Sequence, residues 1–304
     1  SRGMDMFKNF FNRMYYGKSN KNDLLKEDMA TNKFQLFFEI LGVRFWDLVK
    51  LNLILVVFAL PLVLWTALNI NLLNTALAGS ADVEFGALFK DVWLQYVIGL
   101  IPCLLILSPV LAGANYVLRK YANDQHAWLW SDLKEHSLSN IKQSLILSLI
   151  IGVSLYIITI VLQMYNALVS SYQYMLIFEI TLIIFYALFL LSMVFAYPMM
   201  VTYKLKLGQI LKNSVLLALA NLPILILFWI IVLFPLVVLV FISFTWVYAL
   251  LIAGLYYALF GTAFSLFIFN TFTNGVFRKY MKQDEESKPD DNQTDGNETG
   301  QIEE

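Results

Sequence analysis

Charge is scarce in this sequence. Only 14% of its 304 residues are Asp, Glu, Lys or Arg, against about 25% in soluble domains, which excludes an ordinary water-soluble fold. Cysteine is nearly absent. Cys103 stands alone inside an apolar run, so neither a disulfide within the chain nor a cysteine metal cluster is available. The two histidines, His126 and His136, share one polar loop. A metal there would need Asp124, Asp132 or Glu135 as further ligands, and a plain interfacial loop is the simpler expectation. There is no glycine-rich loop ending in Lys-Ser or Lys-Thr, no HExxH and no GxSxG, so the sequence carries none of the common marks of an ATPase, a metalloprotease or a serine hydrolase. No enzymatic activity, cofactor, metal or nucleic-acid partner is expected. A cleavable signal peptide is not expected either, because the first long apolar run begins only near Leu48 and is too long. Ser1, Arg2 and Gly3 ahead of Met4 read as a vector-derived leader.

What is abundant is apolar length. Hydrophobic residues make up 59% of the chain and the mean hydropathy is +0.67. About 20 apolar residues in a helix cross a bilayer core of about 30 Å. Leu51 to Ile70, Val92 to Leu118, Gln143 to Met164 and Met175 to Tyr203 each qualify, the last interrupted only by Glu179. Ser214 to Phe277 runs without a charge for about twice that length. Divided near Phe241 to Thr245, it supplies two crossings, with Pro235 softening the boundary.

The positive residues set the orientation. Residues 1–50 hold nine Lys and Arg, residues 119–142 four, residues 203–213 three and the C-terminal tail four, while the remaining loops hold only Lys90. With six crossings all twenty fall on one side. The expected fold is therefore all-α: a polytopic membrane bundle of six transmembrane helices in the cell membrane, with both termini cytoplasmic. Residues 1–50 would form N-terminal amphipathic segments, 51–277 the membrane domain, and 278–304 a basic juxtamembrane end followed by a disordered acidic tail.

Several features lie outside the spans. Met6 to Tyr15 and Phe34 to Leu48 repeat apolar residues at helical spacing, the second after a Thr31-Asn32 cap. Both are expected to lie at the cytoplasmic interface or to pack on the protein's own loops. In the loop after Arg119, Trp128 and Trp130 precede Ser131 and Asp132. Asp132 with Glu135 matches a capping box, predicting an extended Trp128–Trp130 stretch and a short helix from about Leu133. That helix would anchor the loop or dock a partner.

Within the spans, Glu179 is the one ionisable residue well inside. It either reaches the headgroups from about one turn below the surface or lines a functional cavity. Asn52, Gln163, Asn221 and Asn270 read as polar contacts between helices. Six of the seven prolines fall in spans and should bend them. Gly254, Ala258 and Thr262 recur every four residues, predicting a small-residue packing seam within the chain or between copies.

Two stretches carry a resemblance. FWDLVKLNLILVVFALP, from Phe45 to Pro61, places Asn52 at the head of the first span with a proline nine residues on. SPVLAGANYVLRKYANDQHAWLWSDLKEHSLSNIKQS follows from Ser108. Together they resemble the YesL-like integral membrane proteins of Gram-positive bacteria, a domain of unknown function, over roughly residues 34–282. Ser108 stands where that family has Gly, and Leu133 where it has Phe. The resemblance implies an accessory role beside carbohydrate ABC importers. The expected function is a non-enzymatic accessory or scaffold protein whose partners are the bilayer, transporter subunits or further copies of itself. The alternative is a small transporter or channel in its own right.

Overall fold

The computed structural model describes residues 33–79, 85–169, 172–243 and 248–280. The segment Met6 to Tyr15, the Thr31-Asn32 cap and the acidic tail lie outside the described residues.

Every regular element among the described residues is helical: α1 (Lys33–Val43), α2 (Phe45–Gly79), α3 (Phe85–Ala122), α4 (Leu129–Ser139), α5 (Ile141–Val169), α6 (Met175–Thr202), α7 (Leu207–Ala220), α8 (Leu222–Ser243), α9 (Tyr248–Tyr256) and α10 (Thr262–Tyr280). A π-helical turn, Tyr257–Gly261, joins α9 to α10. Six helices are long and apolar enough to cross a membrane: α2, α3, α5, α6, α8 and the composite of α9, the π turn and α10. The expected division of the last apolar run holds, since α8 ends at Ser243 and α9 begins at Tyr248.

The fifth crossing is α8 alone, and the apolar helix ahead of it is a separate element. The chain turns at Asn221 between α7 and α8, where the Asn221 side chain donates to Leu217 O at 2.9 Å and Pro223 sits in the first turn of α8. Proline suits that turn, where its missing N–H has no partner to lose. α7 is apolar but too short to cross. It packs beside α6, burying Ile210, Ser214, Leu217 and Ala218.

Two cores organise the bundle. One gathers Leu48, Leu51 and Leu55 of α2 with Ala114, Val117 and Tyr121 of α3 and Phe267 of α10; the other gathers Phe195 and Met199 of α6 with Ile210 and Leu217 of α7 and Phe272 and Phe277 of α10. α10 belongs to both and is the hub, with ten buried residues. Elsewhere the outer faces are large exposed apolar side chains, as on α8 at Ile230, Phe234 and Phe241. Water would penalise such a surface, whereas hydrocarbon does not.

The second amphipathic segment packs on the protein itself, but on its spans and not on its loops. α1 turns Ile40 and Leu41 inward and stacks Phe37 on Phe267, ring centroids 5.2 Å apart, so its apolar face packs on the protein's own spans. Arg44 lies over the Tyr121 ring at 5.0 Å, Arg119 over Tyr203 at 5.8 Å, and Gln143 Nε2 donates to Leu205 O at 3.1 Å. The loops rich in Lys and Arg therefore converge on one end of the bundle, called here the basic end.

The Trp loop differs from expectation. α4 starts at Leu129, four residues earlier than the predicted Leu133, and Trp128 is its N-cap with φ −83° and ψ 102°. Asp132 caps by the reverse contact: its carboxylate accepts the Trp128 backbone N–H at 3.0 Å, so Trp130 is helical rather than extended. The predicted seam also fails within the chain. A Cβ at Gly254 would meet nothing within 4 Å, and Ala249 and Ala253 are the buried small residues instead. The π turn resets the phase that a four-residue repeat requires.

Candidate functional site

Polar groups buried between membrane helices must bond to one another or to freed backbone. Three such arrangements descend along α10 towards the basic end; another, Ser108 with Ser144 O and the Tyr197 hydroxyl, joins α3, α5 and α6.

The first is a clip. Asn52, fully buried on α2, donates from Nδ2 to Tyr257 O at 2.9 Å and Ala258 O at 2.7 Å, and its Oδ1 accepts the Ala263 N–H at 2.8 Å. A π turn leaves carbonyls without the usual i+4 donor, and one carboxamide can satisfy both faces of that gap. The sequence singles out Asn52 and Ala258. Their meeting joins the side chain of one to the backbone of the other, while Gly254 and Thr262 take no part.

The second is a ladder between α3 and α10, which run parallel. Asn270 Nδ2 donates to Asn115 Oδ1 at 2.8 Å, Arg119 Nε to Asn274 Oδ1 at 3.0 Å, and an Arg278 amino group to Asn123 Oδ1 at 2.7 Å. Each rung lies four residues, about one helical turn, beyond the last, the third using Asn123 in the turn just after α3. Of these six residues only Asn270 was singled out by sequence. The signal was present, because Asn115, Arg119 and Asn123, and likewise Asn270, Asn274 and Arg278, are spaced by four. A single chain read along its length does not reveal that two such rows face each other.

The third is a cavity of about 160 Å³ at the foot of the ladder, between α1, the end of α3 and α10. Leu36, Phe37 and Phe267 give it an apolar wall, and Asn123, Asn274 and Arg278 a polar one. Asn274 is 6% exposed, and its Nδ2 is buried without a hydrogen-bond partner. Burial raises the Tyr203 phenol above its ordinary value, with Arg119 opposing, so Arg119 faces a neutral ring.

The remaining sequence candidates lie apart from these. Glu179 is half-buried near the start of α6, towards the end opposite the basic one, and forms no hydrogen bond or ion pair among the described residues. Trp128 and Trp130 are 70% and 64% exposed, on a helix held firmly from beneath. Leu133 and Ser137 are buried, and Gly113 of α3 lets the α4 backbone approach so closely that a Cβ there would collide with Leu133 O and Ser137 Oγ. His136 stacks on Tyr116, ring centroids 3.3 Å apart. Burial lowers its pKa from the ordinary 6.5, while Glu135 and Asp132 pull the other way. His126 lies edge-on to Trp128 at 5.0 Å.

No family model, curated protein or solved structure matches the chain.

Proposed function

We propose that this chain is a non-enzymatic accessory protein of the cell membrane, with its basic end and both termini in the cytoplasm, and that it docks a partner at that end. The observation that carries this reading is α4. It is anchored through Leu133, Ser137 and His136, yet presents Trp128, Trp130, Lys134 and Glu135 outward. A rigid helix bearing exposed aromatic and charged side chains outside the spans suits recognition, because little ordering entropy is lost on binding. The family resemblance makes a carbohydrate ABC importer the first partner to seek. The alternative, a small transporter or channel, draws on the prolines within the spans and on Glu179, but Glu179 and the cavity lie towards opposite ends of the bundle.

Affinity purification in mild detergent tests the proposal. Lys134→Ala with Glu135→Ala leaves the His136 stack and the apolar underside of α4 in place. Recovery of the co-purifying protein should fall several-fold while yield and thermal stability stay constant. Unchanged recovery would remove the docking role and leave α4 as an anchor.

A further inference from the structure

We infer that the cavity between α1, α3 and α10 is a binding site for the phosphate of an anionic phospholipid headgroup. Arg119 and Arg278 each donate to a side-chain amide oxygen, a neutral acceptor, and no carboxylate pairs with either among the described residues. They stand near enough to repel each other. An arginine has five N–H donors, so a single amide bond leaves most of the Arg278 fork open on the cavity wall.

The second observation is Asn274. Arg119 Nε holds its Oδ1, which fixes the amide orientation and leaves Nδ2 as a buried donor without an acceptor. A buried unpaired donor is costly. Asn274 lines the same cavity as Arg278, whose exposed guanidinium has no carboxylate partner among the described residues, and an anion in the cavity suits both groups. Phosphate suits an arginine fork, which can grip two of its oxygens at once. The space is roughly ten times the ~15 Å³ that one enclosed water requires, and the enclosure measures about 160 Å³.

The apolar wall decides the source. Leu36, Phe37 and Phe267 offer nothing to a free ion but suit glycerol and the first acyl carbons. The cavity also lies where spans α3 and α10 end, at the depth of lipid headgroups. Basic pockets between membrane helices bind anionic headgroups on the same physical grounds.

The test uses the full chain purified in a neutral detergent, with short-chain phosphatidylglycerol, phosphatidylcholine or inorganic phosphate added and thermal unfolding followed. Phosphatidylglycerol should raise Tm by several degrees, and the other two should not. Arg278→Gln should abolish the shift. Asn274→Asp should also abolish it while keeping the unliganded Tm at or above wild type, because the new carboxylate pairs with Arg119 and repels phosphate; it guards against mistaking misfolding for lost binding. Lys279→Gln removes the same charge one residue away, over the Tyr280 ring, and should keep the shift. An undiminished shift in Asn274→Asp, or equal loss in Lys279→Gln, would overturn the site. An equal shift with inorganic phosphate would overturn the lipid as its source.

Discussion

Asn52 and Asn69 show how little residue type alone says about importance inside a membrane. Both are asparagines on α2 and both are buried. Asn69 donates only to Trp65 O of its own helix, whereas Asn52 makes three bonds to the π turn of another span. Hydrogen bonds between membrane helices contribute about 0.6 to 2 kcal/mol each. Asn52→Ala should therefore lower detergent stability by about 2 kcal/mol or more, and Asn69→Ala by well under 1 kcal/mol, as read from thermal unfolding; equal effects would refute the clip. His136 gives a pH dependence. Its folded pKa lies below 6.5 because burial against Tyr116 disfavours the imidazolium. The unfolded chain thus takes up its proton first as pH falls. The stability contributed by the neutral stack is present above about pH 6.5 and is lost as pH drops through the folded value. Hydrogen-exchange protection factors in α4, taken relative to the intrinsic exchange rate at each pH, should fall between pH 7 and pH 5, and His136→Phe should remove that change.

At the scale of elements, apolar length and the distribution of Lys and Arg were enough to read six crossings, because each span must satisfy its backbone alone and shows as a long uncharged run. What failed were features set by contact with another element. The Asp132 cap was legible but its direction was not: the same carboxylate could cap a helix starting beside it or close one begun four residues earlier. The Gly254 seam within the chain presumed an unbroken α-helix, which the π turn at Tyr257–Gly261 interrupts; Asn52 donates to two carbonyls of that turn and accepts the Ala263 N–H. Gly113 was passed over for the same reason, since its role depends on α4 folding back. Gly113→Ala should cost about 1–3 kcal/mol by overpacking and expose the 125–140 segment to limited proteolysis, while Gly254→Ala should leave both readouts unchanged.

Over the whole molecule, the spans are unequal. α2 and α3 have 35 and 38 residues, about 50 to 57 Å of helix, against a hydrocarbon core of about 30 Å. Their shared end opposite the basic one therefore rises well beyond the membrane surface. In a Cys103→Ala background, an impermeant thiol reagent applied to intact cells should modify a cysteine placed at Lys90. It should reach one placed at Lys206 only after permeabilisation. Labelling of Lys206 from outside would invert or break the six-span arrangement. The same long helix α3 carries the ladder to α10, and the order of its rungs gives that pairing a direction. Were α10 to slip one turn, about 5.4 Å, away from the basic end, Arg278 would come opposite Arg119 and the two cations would push it back. A slip of one turn towards the basic end would instead set Arg119 beside Asn270 and Asn123 beside Asn274, pairs that bond readily. The rungs thus give the register a direction: their charges oppose a retreat of α10 by one turn, while only the packed cores and the Asn52 clip oppose an advance.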